Sequence, residues 1–195
     1  LEVQVHGLEK FYGVRKLIAQ FLFKRADKIR VVSERLKREI SERAYVLPVY
    51  AQINPNSSPF SKGGNGGDFV FLTVGRLVPV KNIALQIRAF ARIAKEFSHA
   101  RLKIVGDGPE RENLPRHSRV SFEGRQENLA PYYQNADAFL LTSDSEGGGG
   151  VVTEAAAYGV PIIMTDVGCA GEFIKNGENG LVIPVGDEDT LVFAM

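Results

Sequence analysis

Apolar runs alternate with amphipathic stretches in the N-terminal part of the chain. Strand-like runs at 1–5, 28–32 and 45–49 enclose two stretches in which apolar residues recur at helical spacing. Ser33, at the start of the second stretch, is a typical helix N-cap. The pattern predicts a β-α-β-α-β unit, which is typical of the end of a doubly wound α/β domain.

A second alternating series follows a segment with the composition of a linker. Residues 51–67 are dominated by Asn, Pro, Ser and Gly, which favour turns and loops. Beyond this segment, the predicted strands lie at 69–74, 101–105, 120–122, 137–142, 162–165 and 181–185. The predicted helices lie at 81–97, 109–114, 127–135, 151–158, 172–175 and from 187 onward. Short loops between these elements predict a parallel sheet covered on both faces, in a Rossmann-like α/β domain.

Composition narrows the class of protein. The formal net charge of +1 gives no basic field for nucleic acid. The single cysteine, Cys169, excludes an internal disulfide, and its neighbours offer no base that would activate it as a nucleophile. No apolar run approaches the ~20 residues of a transmembrane helix. Because the chain starts without an initiator methionine and ends within a predicted helix, we interpret it as a fragment of a longer protein.

The most informative stretch joins the 137–142 strand to the 151–158 helix. It contains four consecutive glycines directly before the helix, Gly147, Gly148, Gly149 and Gly150. Such a loop lets the backbone approach a ligand closely, and the helix N-terminus supplies free N–H groups and the positive end of the helix dipole. This geometry suits a phosphate group.

Two glutamates flank the glycine loop. Glu146 precedes the predicted helix, and Glu154 lies about one turn inside it. Their eight-residue separation corresponds to a rise of about 12 Å along a helix, so the two carboxylates would hold opposite ends of one elongated ligand. Carboxylates beside phosphates serve to bind hydroxyls, which predicts a nucleotide-sugar site. The structural alternative is a helix-terminal carboxylate followed by an ordinary helix glutamate.

Two cations are predicted at the same edge of the sheet. Gly75 and Arg76 follow the 69–74 strand, and Lys81 opens the next helix. A planar guanidinium and a mobile ammonium would stabilise the charge that develops on a leaving diphosphate without a metal ion. The alternative is a pair of solvated surface cations.

Two further motifs argue against other chemistries. The turn at 106–109 is not Gly-x-Gly-x-x-Gly, because position 111 is arginine, and this counts against a dinucleotide oxidoreductase. Asp187 and Asp189 spell Asp-x-Asp at the start of a predicted helix. We interpret them as helix-capping residues rather than metal ligands, because acidic side chains are favourable at a helix N-terminus.

These motifs together resemble the donor site of the GT-B fold retaining glycosyltransferases of family 4, the glycosyl transferases group 1. The resemblance rests on Glu146-x7-Glu154 followed by Gly-x-Pro, and on Gly-Arg-x4-Lys-Asn containing Arg76 and Lys81. The chain departs from the family in one place. The family usually has an aromatic residue and then glycine in the loop, where this chain has only glycines.

The resemblance implies an α/β GT-B fold with two Rossmann-like domains, each with a parallel sheet, of which the N-terminal one is only partly present. Residues 1–50 would be the C-terminal part of the acceptor-side domain, and 51–67 the linker. Residues 68–195 would be the domain that binds the nucleotide-sugar donor, truncated at its C-terminal helices.

The resemblance also assigns roles to individual residues. Arg76 and Lys81 would stabilise the leaving diphosphate, Glu146 would hold the sugar, and Glu154 would hold the ribose. The catalytic residues expected from it are His6, Arg76, Lys81 and Glu146, with His6 orienting or polarising a sugar from the acceptor side. The substrate-binding residues expected are Gly75, Arg76, Lys81, Arg125, Glu146, Gly147, Gly148, Gly149, Gly150, Val151 and Glu154. Arg125 would stack on the nucleobase, although an ordinary exposed loop arginine is an equal interpretation.

The implied reaction transfers a hexosyl group from a UDP- or GDP-sugar to an acceptor hydroxyl, with retention and without metal. No cofactor is expected, since the nucleotide sugar is a co-substrate. The acceptor would be a glycan, a lipid-linked molecule or a small molecule, in the cytoplasm. The basic segment 10–38 would allow peripheral contact with the inner membrane face, although a helix packed on its own sheet is the interpretation we favour. A sugar-nucleotide epimerase, a phosphorylase and a non-catalytic GT-B-like subunit remain alternatives, the last because of the glycine run.

Overall fold

The computed structural model describes residues 67–195 together with the backbone of three N-terminal strands. These are β1 (Glu2–Val5), β2 (Lys28–Val31) and β3 (Ala44–Val46), which form a parallel sheet in the order β1-β2-β3. The prediction of parallel strands here is confirmed, with the third strand starting one residue earlier than expected. The segments predicted as two N-terminal helices lie outside the described residues, as do His6, most of the 51–67 linker and most of the basic segment 10–38.

Residues 69–183 contain a six-stranded, all-parallel sheet in the order β6-β5-β4-β7-β8-β9. Its strands are β4 (Phe69–Val74), β5 (Ala100–Val105), β6 (Val120–Gly124), β7 (Ala138–Leu141), β8 (Ile162–Thr165) and β9 (Leu181–Ile183). The helices around it are α1 (Ile83–Ile93), α2 (Ala130–Gln134), α3 (Gly150–Ala157) and α4 (Glu188–Ala194). The strand order runs outward from β4 in one direction and from β7 in the other. Ligands of such sheets bind where the order reverses, at the carboxyl ends of the strands.

Helices and loops cover both faces of this sheet. Successive residues of a strand point to opposite faces, so Phe71 packs in a cluster with the apolar side of α1, while Leu72 packs in the cluster on the α3 side. Phe90 of α1 and Val152 of α3 are both fully buried in their respective layers. From Phe71 to Val74 neither face of β4 meets water, which explains why this part of the strand is mostly apolar on both faces.

The helix predicted at 81–97 is shorter and begins differently. A 3-10 turn, Pro79–Lys81, comes first, and α1 starts after Asn82, whose φ of 47° is left-handed. Asn tolerates this conformation better than most residues with a side chain. The break places Lys81 at the end of a separate turn rather than inside the first turn of the helix.

Three other predicted helices differ from the structure. The helix predicted at 127–135 is reduced to Ala130–Gln134, because Pro131 lacks an N–H and is tolerated only in a first helical turn. The segments 109–114 and 172–175 are hydrogen-bonded turns, so both helix predictions are wrong. In the second segment the carbonyl of Cys169 accepts from three successive N–H groups, which ties the chain into a compact turn. Among the residues that the structure describes, no helix is long and apolar enough to cross a membrane.

Candidate active site

The carboxyl ends of β4, β5 and β6 are joined backbone to backbone. The N–H of Gly75 donates to the carbonyl of Val105 at 2.9 Å, and the N–H of Gly106 donates to the carbonyl of Gly124 at 2.8 Å. A Cβ atom at Gly106 would lie 1.8 Å from the oxygen of Gly75, and one at Gly108 would lie 2.3 Å from the oxygen of Leu77. The glycines of the 106–109 turn are therefore required by this close packing.

Lys81 and Glu146 meet at the point where the strand order reverses. Lys81 follows β4 and Glu146 follows β7, and these strands are neighbours in the sheet. The Nζ atom of Lys81 lies 2.5 Å from Oε1 of Glu146, and the hydroxyl of Ser143 donates to the same oxygen at 2.6 Å. Both charged side chains are largely buried, with exposed fractions of 21% and 11%. Within the described part of the chain, Oε2 of Glu146 has no hydrogen-bond partner.

A buried polar network holds the backbone of the Lys81 turn. The hydroxyl of Thr142 lies 3.2 Å from the carbonyl oxygen of Lys81 and 3.1 Å from that of Asn82, to which it donates. The Nε2 atom of Gln86 donates to Thr142 at 2.9 Å and to Thr73 at 3.2 Å. The hydroxyl of Thr73 donates to the carbonyl of Leu140 at 2.9 Å. Because both hydroxyls donate to backbone carbonyls, both must accept from Gln86, which fixes the orientation of its amide.

Thr73, Gln86 and Thr142, which form this network, were not predicted as site residues from the sequence. Gln86 is fully buried on the apolar side of α1, and its Oε1 atom has no partner among the described residues. A polar side chain on an otherwise apolar helix face was the signal available in the sequence. A second hydrogen bond links the end of the 3-10 turn to the loop after β7. The Nδ2 atom of Asn82 donates to Oδ1 of Asp144 at 3.1 Å.

The glycine loop leads into the N-terminus of α3. The helix starts at Gly150, one residue earlier than predicted, and Val151 is its second residue. Gly149 is the N-cap residue, with a left-handed φ of 66°, and no side chain caps the helix. The first N–H groups of α3 are therefore not capped by a side chain. Uncapped N–H groups at a helix N-terminus are the donors that bind phosphate.

A second loop, after β8, packs against the glycine loop and was not singled out in the sequence. A Cβ atom at Gly168 would lie 2.8 Å from Cβ of Glu146, and one at Gly149 would lie 2.9 Å from the sulfur of Cys169. Burial, with a smaller contribution from the charge of Glu146, raises the pKa of the Cys169 thiol to about 11. The thiol is therefore protonated at neutral pH, in agreement with the expectation that it is not a nucleophile.

Glu154, on α3, has an uncharged partner. The hydroxyl of Tyr133 donates to Oε2 of Glu154 at 2.8 Å. The ring of Tyr133 is buried and stacks on Tyr158, with centroids 5.5 Å apart and an angle of 14° between the ring planes. Burial, together with the negative charge of Glu154, raises the pKa of Tyr133 far above its usual value. Tyr133 was not predicted as a site residue; its signal in the sequence is an aromatic ring with a polar hydroxyl in the predicted 127–135 helix.

The other predicted site residues lie at the same edge or outside the described chain. Arg76 is exposed directly after Gly75, at the end of β4. Arg125 is exposed after β6, which is the outermost strand on that side of the sheet. The structure thus brings Lys81 and Glu146 into contact, and leaves Arg125 at the far end of the edge.

Asp187 acts as the sequence predicted. Its side chain accepts from the backbone N–H of Thr190 at 2.9 Å and caps α4. The bond from the Thr190 hydroxyl, followed by this backbone bond, lowers the pKa of Asp187 below its usual value. The prediction that Asp187 is a capping residue is confirmed, whereas the side chain of Asp189 accepts from Arg92 at 2.6 Å instead of capping the helix.

Comparison with known proteins decides the family. The family model described as glycosyl transferases group 1 matches residues 56–195. The chain belongs to the glycosyl transferases group 1. Among curated relatives of this family member, the N-acetyl-alpha-D-glucosaminyl L-malate synthase of Bacillus anthracis is 38% identical over 155 residues, which are 76% of this chain and 39% of the relative. The lipopolysaccharide core biosynthesis glycosyltransferase LpsE of Rhizobium meliloti is 33% identical over 127 residues, which are 62% of this chain and 36% of the relative. The chain thus spans well under half the length of both.

Solved structures confirm the fold of this group 1 chain. HepE from Anabaena, in complex with UDP and glucose, aligns with a TM-score of 0.83 at 22% identity over 99% of this chain and 60% of its own. The pneumococcal O-GlcNAc transferase GtfA, in complex with UDP and GlcNAc, aligns with a TM-score of 0.80 at 24% identity over 100% of this chain and 44% of its own. Together with the parallel sheet, these neighbours confirm the predicted α/β GT-B fold.

Proposed function

We propose that this chain carries the nucleotide-sugar donor site of a hexosyltransferase that acts with retention and without a metal ion. The whole enzyme would move a hexosyl group from a UDP- or GDP-sugar to an acceptor hydroxyl. The observation that carries the proposal is the contact between Lys81 and Glu146, beside the N-terminus of α3, where the strand order of the sheet reverses.

The cationic groups at this edge suit a diphosphate leaving group. Lys81 presents a fixed ammonium, and Arg76 lies five residues before it on the same edge. The N–H groups from Gly147 to Val151 would add hydrogen bonds from the backbone, whereas that of Gly75 is already bonded to Val105. The dipole of α3 favours negative charge at its start. Together they would stabilise the diphosphate as its negative charge develops, which is the role otherwise given to a metal ion.

The two glutamates suit the two hydroxyl-bearing parts of the substrate. Oε2 of Glu146 has no partner among the described residues and would accept from a hydroxyl of the donor sugar. Glu154 lies further along α3 and would accept from the ribose. The nucleobase contact of Arg125 and the role of His6 remain predictions, as does the division of the chain at residues 50 and 67.

Two similar solved structures support uracil as the base of the donor nucleotide. Structures of HepE and GtfA contain UDP, which favours a UDP-sugar over a GDP-sugar for this chain. Retention rests on the family resemblance. The acceptor class, the cytoplasmic location and peripheral membrane contact also remain predictions.

The proposal is tested by calorimetric titration of the full-length protein with UDP, GDP and ADP. We expect one of them, UDP by preference, to bind with micromolar affinity or better. Glu154→Gln should weaken that binding by about 1.5–3 kcal/mol, or about 10- to 150-fold in Kd, because a charge-assisted hydrogen bond to the ribose is lost. Equal affinities of the two proteins would refute the ribose assignment.

Other outcomes would favour the alternatives. Binding of none of the three nucleotides would favour a non-catalytic GT-B-like subunit. Release of UDP and free sugar without an acceptor would favour an epimerase, and dependence on inorganic phosphate would favour a phosphorylase.

A further inference from the structure

The hydrogen bond between Tyr133 and Glu154 links a fully buried group to the candidate site. We propose that Tyr133 is a positioning residue that fixes the Glu154 carboxylate toward the ribose, and so makes the site selective for ribonucleoside over deoxyribonucleoside diphosphates. This inference rests on the proposed function, because it assumes that Glu154 binds the ribose.

The two carboxylate oxygens of Glu154 have different environments. Oε2 of Glu154 accepts from the Tyr133 hydroxyl at 2.8 Å. Within residues 67–195, Oε1 has no hydrogen-bond partner, and the side chain is only partly buried. One oxygen is thus held by the protein interior, and the other is available to a ligand hydroxyl.

Tyr133 is placed to hold Glu154 firmly. Its side chain is 1% exposed, and its ring contacts Tyr158 on one side and Phe139 of β7 on another, with centroids 5.5 Å and 6.0 Å away. Because the ring cannot move without disturbing this packing, the hydroxyl is a fixed point. A glutamate anchored at one oxygen loses less rotamer entropy when it binds a ligand.

The phenol is also a suitable partner because it carries no charge. Burial and the adjacent carboxylate keep Tyr133 protonated at neutral pH, so that it donates and never repels Glu154. A neutral hydrogen-bond donor leaves the full negative charge on the carboxylate, which a cation in the same place would cancel. Oε1 therefore remains a strong acceptor for a ribose hydroxyl.

The test measures whether Tyr133 and the ribose hydroxyls act together. Calorimetry would compare UDP with its 2′-deoxy and 3′-deoxy analogues on the full-length wild type and on Tyr133→Phe. Wild type should prefer UDP over at least one deoxy analogue. Tyr133→Phe should weaken UDP binding roughly tenfold and leave the affinity for that analogue within about twofold of wild type, so that the selectivity is lost.

Tyr158→Phe is the matched control, since Tyr158 stacks on the same ring but its hydroxyl makes no hydrogen bond to Glu154 among the described contacts. It should retain the wild-type preference for UDP, and thermal unfolding would verify that both variants fold. An equal loss for UDP and the deoxy analogue in Tyr133→Phe would indicate a merely structural role and overturn the inference. Unchanged UDP affinity in Tyr133→Phe, together with weakened binding in Glu154→Gln, would also refute the inference while the proposed function stands. If wild type binds no nucleoside diphosphate, the proposed function fails, and the inference fails with it.

Discussion

The two glutamates of the candidate site have opposite kinds of partner. Glu146 contacts a lysine ammonium and a serine hydroxyl, so its charge is compensated within the protein. Glu154 contacts the neutral phenol of Tyr133, which brings no compensating charge. The neighbouring residues thus give the two glutamate side chains different electrostatic environments. Under the proposed function, an anionic ligand at the Glu146 end would compete for a cation that already has a partner. At the Glu154 end a ligand hydroxyl would meet an uncompensated carboxylate.

The comparison also predicts different costs of mutation. Removing Lys81 leaves a largely buried carboxylate without its cation, and an unpaired buried charge is strongly unfavourable. Removing the hydroxyl of Tyr133 leaves a partly exposed carboxylate that water can still solvate. The first region should therefore respond to substitution more strongly than the second.

The largest effect is expected for Lys81→Met. This change removes the cation beside the proposed diphosphate and leaves Glu146 unpaired, so the rate of sugar transfer should fall about 10²- to 10³-fold. Initial rates of UDP release in the presence of acceptor would measure it. Lys95→Met, an exposed lysine just beyond α1, is the control and should retain the wild-type rate. A Lys81→Met rate close to that of the control would mean that the ion pair has no part in catalysis.

Glu146→Gln tests the contrast between the glutamates directly. It should lower turnover about 10- to 150-fold, because the sugar loses a charged hydrogen-bond acceptor. UDP affinity should stay constant or rise by up to about fivefold, since Lys81 is released from its partner. Glu154→Gln should shift UDP affinity in the opposite direction. If both variants weaken UDP binding to the same extent, the two carboxylates do not have separate roles.

A smaller effect is expected for Gln86→Met. The change preserves the volume of a buried side chain but cuts the link through Thr142 to the backbone of Lys81, so turnover should fall about fivefold. Stability should change little, because the unpartnered Oε1 atom is removed together with the amide. Thr73→Val is the control, since Thr73 contacts Gln86 but not the Lys81 turn. An equal loss of activity in Thr73→Val would indicate a general packing defect.

The smallest effect is expected at a third glutamate, far from the site. Glu188 of α4 contacts Arg88 and Arg92 of α1 at 2.8 Å and 3.4 Å, and the Arg88 bond is the main cause of its lowered pKa. Because the ion pairs of Glu188 with these two arginines are solvent-accessible, Glu188→Gln should lower the free energy of unfolding by only about 0.3–0.5 kcal/mol. Sugar transfer should be unchanged.

The pH dependence of that cost gives a further check. A carboxylate whose pKa is lower in the folded state stabilises the protein above its unfolded pKa of about 4.3, and the contribution is lost as the pH falls through the folded value. The difference in unfolding free energy between wild type and Glu188→Gln should therefore be constant near neutral pH and vanish in acid. Urea unfolding at several pH values would measure it, and a difference that persists in acid would rule out the ion pair as its source.

The alternating pattern of the sequence was sufficient to predict the strands and the edge on which the chemistry lies. The strands of the six-stranded sheet follow apolar runs, and glycine-containing loops follow most of them, so Gly75, Lys81 and Glu146 were expected at one edge. Helix ends were predicted less well where a single residue decides them. Pro131 delays the start of α2, and Asn82 separates the Lys81 turn from α1.

The contacts within the site could not be predicted because they depend on strand order. Lys81 and Glu146 are 65 residues apart in the sequence. They meet because β4 and β7, the strands that precede them, are neighbours in the sheet. Tyr133 reaches Glu154 across the α3 side of the sheet, which local patterns do not specify. Side chains that support others, such as Gln86, look like ordinary helix residues until their neighbours are known.

The glycine loop has a consequence for how related enzymes can diverge. Gly149 has a left-handed φ and abuts the sulfur of Cys169, so a side chain at 149 would be strained even if residue 169 were smaller. At Gly150 a Cβ atom would meet nothing within 4 Å, and the backbone there is not left-handed. Position 150 can therefore accept a side chain without compensating substitutions at neighbouring positions. If the loop contacts the donor sugar as proposed, differences in sugar preference among descendants of this protein should accumulate at position 150, while position 149 stays glycine.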